Sequence, residues 1–421
     1  MTVFLIYLVI FVGAFVAYQA WEKRRENHDF TSLKTVTFGD ESAVEPSRFA
    51  SIVSIVALFA IWGAFTGSVI TPVHAPGPFV GDTSFTYTAQ NASGETDDAT
   101  VQVRVFKVGD DQPTPEVDAN QSGFAADDAL TISAWRSKLL RAQNNDDGSD
   151  QDGFSIIAID GNPIAPGETV RFTNGVVSMT DKGSLNIKPN AGWQMEPIWL
   201  PAPESVVQRL IEIASVGYKN FSLLEHLGSS LWRVIAGFVL GSIVGIPLGY
   251  AMGLSNWFRG WFDPIVEFMR PVPPLALIPL VIIWFGIGEE GKIILLFLAA
   301  LWIMTIAARA GVSGVRISKI HAAYSLGASK WQILRHVIIP NSLPEIFTGA
   351  RVAMGVCWGT VVAAELVAAE KGAGMMIVNA SKFQLTDIVI LGIILIGIIG
   401  YGIDVLMRMA EKYLVPWKGR G

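Results

Sequence analysis

Long apolar segments alternate with polar connections along this chain, and one extended polar stretch interrupts them. The segments at residues 3–21 and 49–70 are each long enough to cross a bilayer, which takes roughly 20 residues. Further apolar segments follow at residues 231–253, 271–285, 293–308, 346–367 and 388–407. The pattern predicts a mainly α-helical, polytopic membrane protein with seven spans.

The polar stretch at residues 71–199 has a different periodicity. Its best-patterned pieces alternate apolar and polar residues and are separated by glycine-bearing turns, which predicts strands at residues 83–88, 100–106, 154–159, 169–172, 176–180 and 184–187. Residues 130–142 (LTISAWRSKLLRA) are expected to form a helix inserted among them. We therefore expect a small antiparallel β-sandwich outside the membrane.

Composition supports a membrane protein with an acidic outer part. Hydrophobic residues make up 51% of the 421 positions and charged residues only 16%, with a mean hydropathy of +0.42. Residues 71–200 hold 18 Asp and Glu against 8 Lys and Arg, and the whole chain carries a net charge of −6, which disfavours nucleic acid as a partner. Since Cys357 is the single cysteine, a disulfide within one chain is impossible.

Basic residues set the expected orientation. Lys23, Arg24 and Arg25 follow the first apolar segment, and basic side chains cluster again around residues 316–336 and after residue 407. The positive-inside rule places all three clusters in the cytoplasm, with the N-terminus outside and the C-terminus inside. The expected organisation is an anchor at residues 1–22, a cytoplasmic linker at 23–48, a first core helix at 49–70, an outer insertion at 71–199, and a membrane core with five helices at 200–421.

A basic island, HAAYSLGASKWQILRHVIIPNSLP at residues 321–344, separates two of the apolar segments. Gly327 is expected to break a first short helix, and Ser329 with Gln332 forms a capping box that starts a second. That second helix should stop before Pro340, with Ser342 capping a new one. Helix, glycine turn and helix in sequence are typical of a docking element.

This island resembles the EAA loop of ABC-importer permeases through its Ala-Ala pair, the glycine four residues later and the Val-Ile-Ile-Pro run. The resemblance implies that it is a cytoplasmic ATPase-coupling loop, within residues 319–344. His321 stands where the family usually has Glu, which weakens the case for one particular salt bridge. The implied loop residues are His321, Ala322, Ala323, Gly327, Ala328, Ser329, Trp331 and Pro340.

The rest of residues 200–417 resembles the nitrate/sulfonate/taurine/bicarbonate branch of these permeases. The segments that carry the resemblance are SSLWRVIAGFVLGSIVGIPLGYAMGLS, FDPIVEFMRPVPPLALIPLVIIWFGIGE and GIDVLMRMAEKYLVPW. It implies a type I importer core of six helices, plus one extra N-terminal helix, in a bacterial inner membrane. It also implies a second permease copy, two ATPase subunits that bind ATP and Mg²⁺, and a periplasmic substrate-binding protein.

The outer stretch has its own, more generic resemblance. GDTSFTYTAQNASGETDDATVQVRV and VVSMTDKGSLNIKPNAGW are similar to cadherin-like adhesin repeats, in the reverse of their usual order. Such a domain could guide the binding protein, or cover the gate and bind substrate, although its acidity would repel anions. The loop NNDDGSDQDG at residues 144–153 has calcium-type ligands in a register that does not fit an EF-hand, which favours a solvated acidic loop.

Other residues of the core are candidates for the pathway or for packing. Charged or helix-breaking side chains within apolar segments are expensive unless they are paired or face water. Pathway or gate candidates are Arg233, Pro273, Pro274, Arg351 and Glu365. Glycines at four-residue spacing predict close helix packing, at Gly237, Gly241, Gly245, Gly249, Gly355 and Gly359.

Catalytic and metal-binding motifs were weighed and set aside. Residues 286–292 fit the spacing of a phosphate loop, but Ile293 replaces the Ser or Thr that holds Mg²⁺. His28, His74 and His226 are scattered singly and are expected at the surface. We expect no enzyme, no metal and no cofactor on this chain, and a permease for a small anion. A membrane-anchored adhesin or sensor is the alternative, and a channel or secondary transporter is disfavoured.

Overall fold

A computed structural model describes residues 2–25, 48–110, 112–117, 123–146 and 154–417. The chain separates into two compact units, Met1–Glu204 and Ser205–Gly421. The expected linker at residues 23–48 and the acidic loop at 144–153 lie largely outside the described residues.

The first unit begins with two apolar helices. They are α1 (Thr2–Arg25) and α2 (Arg48–Thr66). The rings of Tyr18 and Phe49 stack with centroids 4.6 Å apart, and the Tyr7 hydroxyl donates to the Val73 carbonyl over 3.1 Å. Helix α2 ends four residues before the predicted limit because Gly67 adopts a left-handed conformation, with φ +67°.

Nine strands follow in the first unit. They are β1 (Gly81–Gln90), β2 (Thr96–Phe106), β3 (Asp128–Ser133), β4 (Lys138–Leu140), β5 (Ser155–Ile159), β6 (Asn162–Pro163), β7 (Thr169–Phe172), β8 (Gly175–Met179) and β9 (Leu185–Pro189). Two sheets form, with strand orders β3-β2-β1-β5-β6 and β4-β9-β8-β7. Alternate side chains such as Val101, Val103 and Ile187 are fully buried in one core, so the expected sandwich is confirmed.

The prediction of a helix at residues 130–142 is wrong. Leu130 and Ile132 are buried while Thr131 and Ser133 are half-exposed, which is the period of a strand, and β3 pairs with β2 in parallel. Trp135 then takes a positive φ of 63°, and the chain passes to β4 in the other sheet. One pair in the sandwich is therefore parallel, where an antiparallel fold was expected.

The second unit is helical from end to end. Helix α3 (Pro203–Val216) begins with the last two residues of the first unit and continues in the second. The further helices of the second unit are α4 (Leu223–Leu254), α5 (Asn256–Met269), α6 (Ile278–Phe285), α7 (Glu289–Ser313), α8 (Ile317–Ser325), α9 (Lys330–Ile333), α10 (Ile339–Ala368), α11 (Ala373–Lys382) and α12 (Thr386–Leu414). Among the described residues of both units, six helices are long and apolar enough to cross a membrane. A seventh span is reached only if a bent pair counts as one.

That bent pair replaces the span expected at residues 271–285. Helix α5 and the piece Pro274–Phe285 meet at 94°. Four prolines between 271 and 279 explain the break, because each lacks an N–H for the helical ladder. Pro273 is extended and Pro274 starts a short 3₁₀ turn that leads into α6.

Helices α4 and α7 form the most extensive helix contact of the second unit. A Cβ added at Gly241 would lie 2.6 Å from the Ala300 Cβ, and one at Gly249 would lie 2.4 Å from the Thr305 carbonyl oxygen. Gly237 and Gly245 are equally crowded by α7. Absence of a side chain at this spacing therefore lets the two backbones approach closely.

Gly355 and Gly359 on α10 differ from that stripe. A Cβ at either position would meet no atom within 4 Å in the described chain. A packing role for these two glycines stays a prediction.

Candidate functional site

The basic island lies in a helix–turn–helix segment, residues 317–338, which we call the coupling segment. Helix α8 ends at Ser325, and Gly327 makes the turn with φ +79°. The Ser329 hydroxyl accepts from the Gln332 N–H over 3.4 Å, and the Gln332 side chain accepts from the Ser329 N–H over 2.8 Å. This reciprocal cap begins α9 as the sequence predicts.

Large apolar side chains at the turn of the coupling segment point away from the unit. Leu326 is 88% exposed, Trp331 66% and Tyr324 50%. A groove of ≈650 Å³ is lined by Leu254, Ile320, Tyr324, Lys330, Trp331, Ile333, Leu334 and Ile338. Exposed apolar side chains clustered beside a groove are typical of a protein-binding surface.

The other face of the coupling segment is packed. Ile333 and Ile338 are buried with Val312 of α7, and Ala323 and Ala328 pack against this cluster. His321, Ala322, Gly327 and Ser329 are exposed. One side of the coupling segment is thus packed against the helical unit, and its other side is exposed.

The prediction that the helix stops before Pro340 is wrong. A π-helical turn at Leu334–Ile338 joins α9 to α10, and Pro340 sits within the first positions of α10. Because proline has no N–H to donate to the preceding turn, the helical ladder is interrupted there, and the wider π turn just before Pro340 accommodates that interruption within a continuous helix. Ser342 is fully buried and bonds the Tyr250 hydroxyl over 2.5 Å, so it does not cap a new helix.

Arg233 and Glu365, predicted separately as pathway candidates, meet in one ion-paired cluster in which both of these side chains are buried and the Glu289 side chain is 55% exposed. The Arg233 Nη1 donates to Glu365 Oε1 over 2.5 Å, and its Nε and Nη2 donate to the Glu289 carboxylate over 2.5 and 2.7 Å. Lys292 donates to the same carboxylate over 3.0 Å. Two cations thus face two anions at the junction of α4, α7 and α10.

Backbone groups complete this cluster. Glu365 also accepts from the Ser230 hydroxyl over 2.7 Å and from the Gly374 N–H over 2.9 Å. A Cβ at Gly372 would lie 2.4 Å from the Glu365 carboxyl carbon. The cluster therefore fixes the connection between α10 and α11 closely against α4.

His226 was expected at the surface and is instead fully buried. One ring nitrogen accepts from the Gly372 N–H over 3.1 Å, and the other bonds the Tyr218 carbonyl over 3.0 Å. His74 bonds the Ser68 carbonyl, and His28 lies outside the described residues.

The remaining pathway candidates lie apart from the Arg233 cluster. Arg351, on α10, donates to Asp404 of α12 over 3.1 and 3.2 Å and is 35% exposed at its side chain. Pro273 and Pro274 form the bend between α5 and α6. The structure does not bring these groups to one point, and their roles stay predictions.

Sequence reasoning missed Glu289 as a partner of Arg233 and Ser230 as a partner of Glu365. Glu289 begins α7 three residues before Lys292, inside the stretch whose spacing suggested a phosphate loop. A carboxylate and a lysine one helical turn apart are a detectable signal, but their pairing with α4 depends on tertiary contact.

No group of three or more potential metal ligands is found among the residues that the structure describes. Most of the acidic loop at residues 144–153 is outside that part of the chain, so the calcium question stays a prediction.

These features define a polytopic membrane protein whose basic helix–glycine–helix segment exposes large apolar side chains. The family model for the binding-protein-dependent transport system inner membrane component matches residues 227–415. The taurine transport permease TauC of Escherichia coli (strain K12) is 46% identical over 226 residues, which cover 53% of this chain and 82% of that protein. The chain belongs to the inner-membrane permease components of binding-protein-dependent ABC importers.

Two further relatives each align over about half of the chain. The putative aliphatic sulfonates permease SsuC of E. coli (strain K12) is 38% identical, covering 54% of this chain and 85% of its own length. The nitrate import permease NrtB of Synechocystis sp. (strain ATCC 27184 / PCC 6803 / Kazusa) is 31% identical, covering 52% and 81%. The adhesin or sensor alternative has no support from these comparisons.

Proposed function

We propose that this permease imports a small organic or inorganic oxyanion, with taurine and other sulfonates first among the candidates. Support comes from the relatives, since the most similar one named above is a taurine permease and the others are named for sulfonates and nitrate. On this proposal, a separate binding protein delivers the substrate and two separate ATPase subunits drive a permease dimer through alternating access. This chain binds no cofactor of its own.

The coupling segment is the proposed contact with the ATPase, and the exposure of Leu326, Trp331 and Tyr324 around Gly327 is the observation that carries this proposal. Apolar side chains exposed to this degree are stabilised when a partner buries them. The packed face of the segment, joined to α10 through a continuous π turn, would pass the partner's movement into the spanning helix.

His321 is exposed and lies one residue before the Ala-Ala pair, so it adds no fixed negative charge to the proposed contact. We therefore propose that shape and apolar burial, more than one salt bridge, hold the ATPase. We further propose that the coupling segment lies in the cytoplasm, because it carries Lys and Arg residues and the positive-inside rule favours that side. By the same rule Lys23, Arg24 and Arg25, ahead of α2, favour the periplasm for the β-sandwich that follows α2.

Co-purification with the ATPase subunit tests the coupling proposal. Gly327→Val puts a β-branched residue at φ +79°, which costs about 1–2 kcal/mol in the present turn and should distort it. Gly161→Val, at φ +74° in the β-sandwich, is the matched control, because at both glycines a Cβ meets no atom within 4 Å. We expect Gly327→Val to lose the ATPase several-fold and Gly161→Val to retain it; equal retention by both would contradict the proposed contact.

A further inference from the structure

Exposed apolar side chains gather on the two chain segments that connect the β-sandwich to the rest of the first unit. Val69 is 90% exposed and Ile70 71%, just after α2. Trp193 is 70% and Trp199 72% exposed on the returning segment. Met195, 45% exposed, lies between these tryptophans. We call these five residues the base patch.

Hydrogen bonds hold the base patch at the end of α2. The Met195 N–H donates to the Phe65 carbonyl over 2.8 Å, and the Trp62 indole N–H donates to the Pro201 carbonyl over 2.9 Å. The Ala75 N–H reaches the Ala64 carbonyl over 2.9 Å. Both connecting segments are therefore tied to the last turn of an apolar helix that is long enough to span a membrane.

A second set of contacts makes this connection compact. The Gln194 amide donates to the Ala75 carbonyl over 2.9 Å and lies against Gly67 and Gly77, where an added Cβ would approach it to 2.7 and 3.0 Å. Glu204 accepts from the Ser68 hydroxyl over 2.6 Å and from the Val69 N–H over 2.9 Å. The position of Val69 is thus set by a side chain 135 residues away in sequence.

Charge is scarce around the base patch. Residues 67–73 and 190–201 contain one Asp, Glu, Lys or Arg, namely Glu196. Its side chain is 11% exposed and pairs with Arg136 of the β-sandwich over 2.7 Å. Glu204, which bonds to Ser68 and Val69, is half-buried. A surface that exposes two tryptophans and two branched aliphatic side chains while both neighbouring carboxylates are covered or hydrogen-bonded is poorly suited to bulk water.

We propose that the base patch lies in the interfacial layer of the bilayer at the Thr66 end of α2. Tryptophan is enriched at this depth because its ring is apolar and its N–H is polar. Nearer its Arg48 end, α2 exposes apolar side chains such as Ile55 and Leu58, 57% and 66% exposed, as a lipid-facing helix does. Because the patch is hydrogen-bonded to the opposite end of this membrane-spanning helix, its position favours lipid over a soluble partner as the occupant.

The consequence concerns how the β-sandwich is held. With the base patch in the interface and α2 in the membrane, the sandwich has a second, lipid-mediated attachment beside its covalent one. It then stands at a fixed height on the bilayer.

Site-directed spin labelling tests the proposal, and the chain suits it because Cys357 is fully buried and native labelling should be low. The variants are Val69→Cys, Ile70→Cys and Trp199→Cys in full-length protein in liposomes, with Ala92→Cys at the exposed β1–β2 turn as the control. Each nitroxide is tested for collision with oxygen, which concentrates in lipid, and with a water-soluble nickel chelate.

We expect the labels at positions 69, 70 and 199 to show several-fold higher oxygen-to-nickel accessibility ratios than the label at 92. Two of the three positions suffice if one variant fails to fold. Ratios equal to that of position 92 would overturn the proposal, since the patch would then face water. Protection from both reagents would also overturn it, because a protein, either a second copy or a soluble partner, would then cover the patch.

Discussion

Arg233 of the helical unit is buried between two carboxylates, whereas Asp128 of the β-sandwich is 8% exposed with Asp127 and Asp146 as its charged neighbours. In an apolar membrane an uncompensated charge is very costly, and the buried charges Arg233, Lys292 and Glu365 of the helical unit are all ion-paired. The sandwich is bathed in water on its outside and tolerates like charges together. Burial and the repulsion among these carboxylates appear as a raised pKa of Asp128.

The two units also differ in how their elements approach one another. Helices α4 and α7 meet through glycines, with backbone against backbone, while the sandwich fills its core with side chains such as Val101, Val103 and Ile187. Packing in the helical unit depends on absent side chains, and in the sandwich on present ones. Enlarging a side chain at the α4–α7 contact should therefore destabilise the helical unit, whereas shortening a core side chain should destabilise the sandwich.

The largest expected effect comes from removing one member of the buried ion-paired cluster. Arg233→Met leaves Glu365 buried without its cation and should destabilise the protein by about 3–5 kcal/mol. Arg408→Met, whose side chain is 48% exposed and paired with Asp404, is the control and should cost less than about 1 kcal/mol. Thermal unfolding in detergent measures both, and equal shifts would contradict the role given to burial.

A smaller loss is expected from adding one methyl group to the glycine stripe. Gly249→Ala forces the Thr305 carbonyl and Ala308 away and should cost about 1–3 kcal/mol. Gly228→Ala, on the same helix with no atom within 4 Å of the new Cβ, should be neutral or stabilising by up to about 1 kcal/mol. The same unfolding assay compares them, and a harmless Gly249→Ala would show that the helices can separate freely.

The smallest effect is a pH dependence of the sandwich. Burial, together with repulsion from Asp146 and Asp127, raises the pKa of Asp128 to about 7, while its hydrogen bond with Asn145 opposes the rise. Between the unfolded pKa of about 4 and this value the folded state holds the extra proton, so stability falls as pH rises through that window. At 1.36 kcal/mol per pKa unit, the rise corresponds to at most about 4 kcal/mol at pH 8. Solvent screening reduces the expected loss to on the order of 1–2 kcal/mol.

Asp128→Asn should remove that decline, while Asp110→Asn at an exposed site should leave it unchanged. The measurement is the urea concentration at which a protease cuts the sandwich of the full-length chain, at pH 5 and pH 8. A steeper decline in Asp128→Asn than in the native chain would contradict the assignment.

Much of the fold follows from local pattern. The helices and most strands were predictable because periods of 3.6 and 2 reflect which side chains are buried. The prediction for residues 130–142 was wrong because the short run LTISAW fits the period of a helix as well as that of a strand. Only its pairing as β3 with β2 in the folded protein makes it a strand. The prediction of a helix end before Pro340 was wrong because a π turn at Leu334–Ile338, which has no sequence signature here, lets the helix continue past the proline.

The coupling segment and the Arg233 cluster were predictable from the sequence to different extents. The turn at Gly327 and its Ser329 cap are local and followed from spacing alone. Pairing of Arg233 with Glu365 joins residues 132 positions apart and needed the three-dimensional structure. Residue type identified both as costly in a membrane, but their compensation by each other could not be inferred from position along the chain.

ATP-driven uptake of labelled taurine into liposomes, with this permease, its ATPase subunits and its binding protein, tests the central claim most directly. We predict uptake that requires ATP and is competed by other sulfonates. We also predict that Leu326→Asp, which places a charge on the proposed docking surface, abolishes uptake, while Gly161→Val retains it. Uptake without the ATPase, or unchanged uptake by Leu326→Asp, would contradict the account.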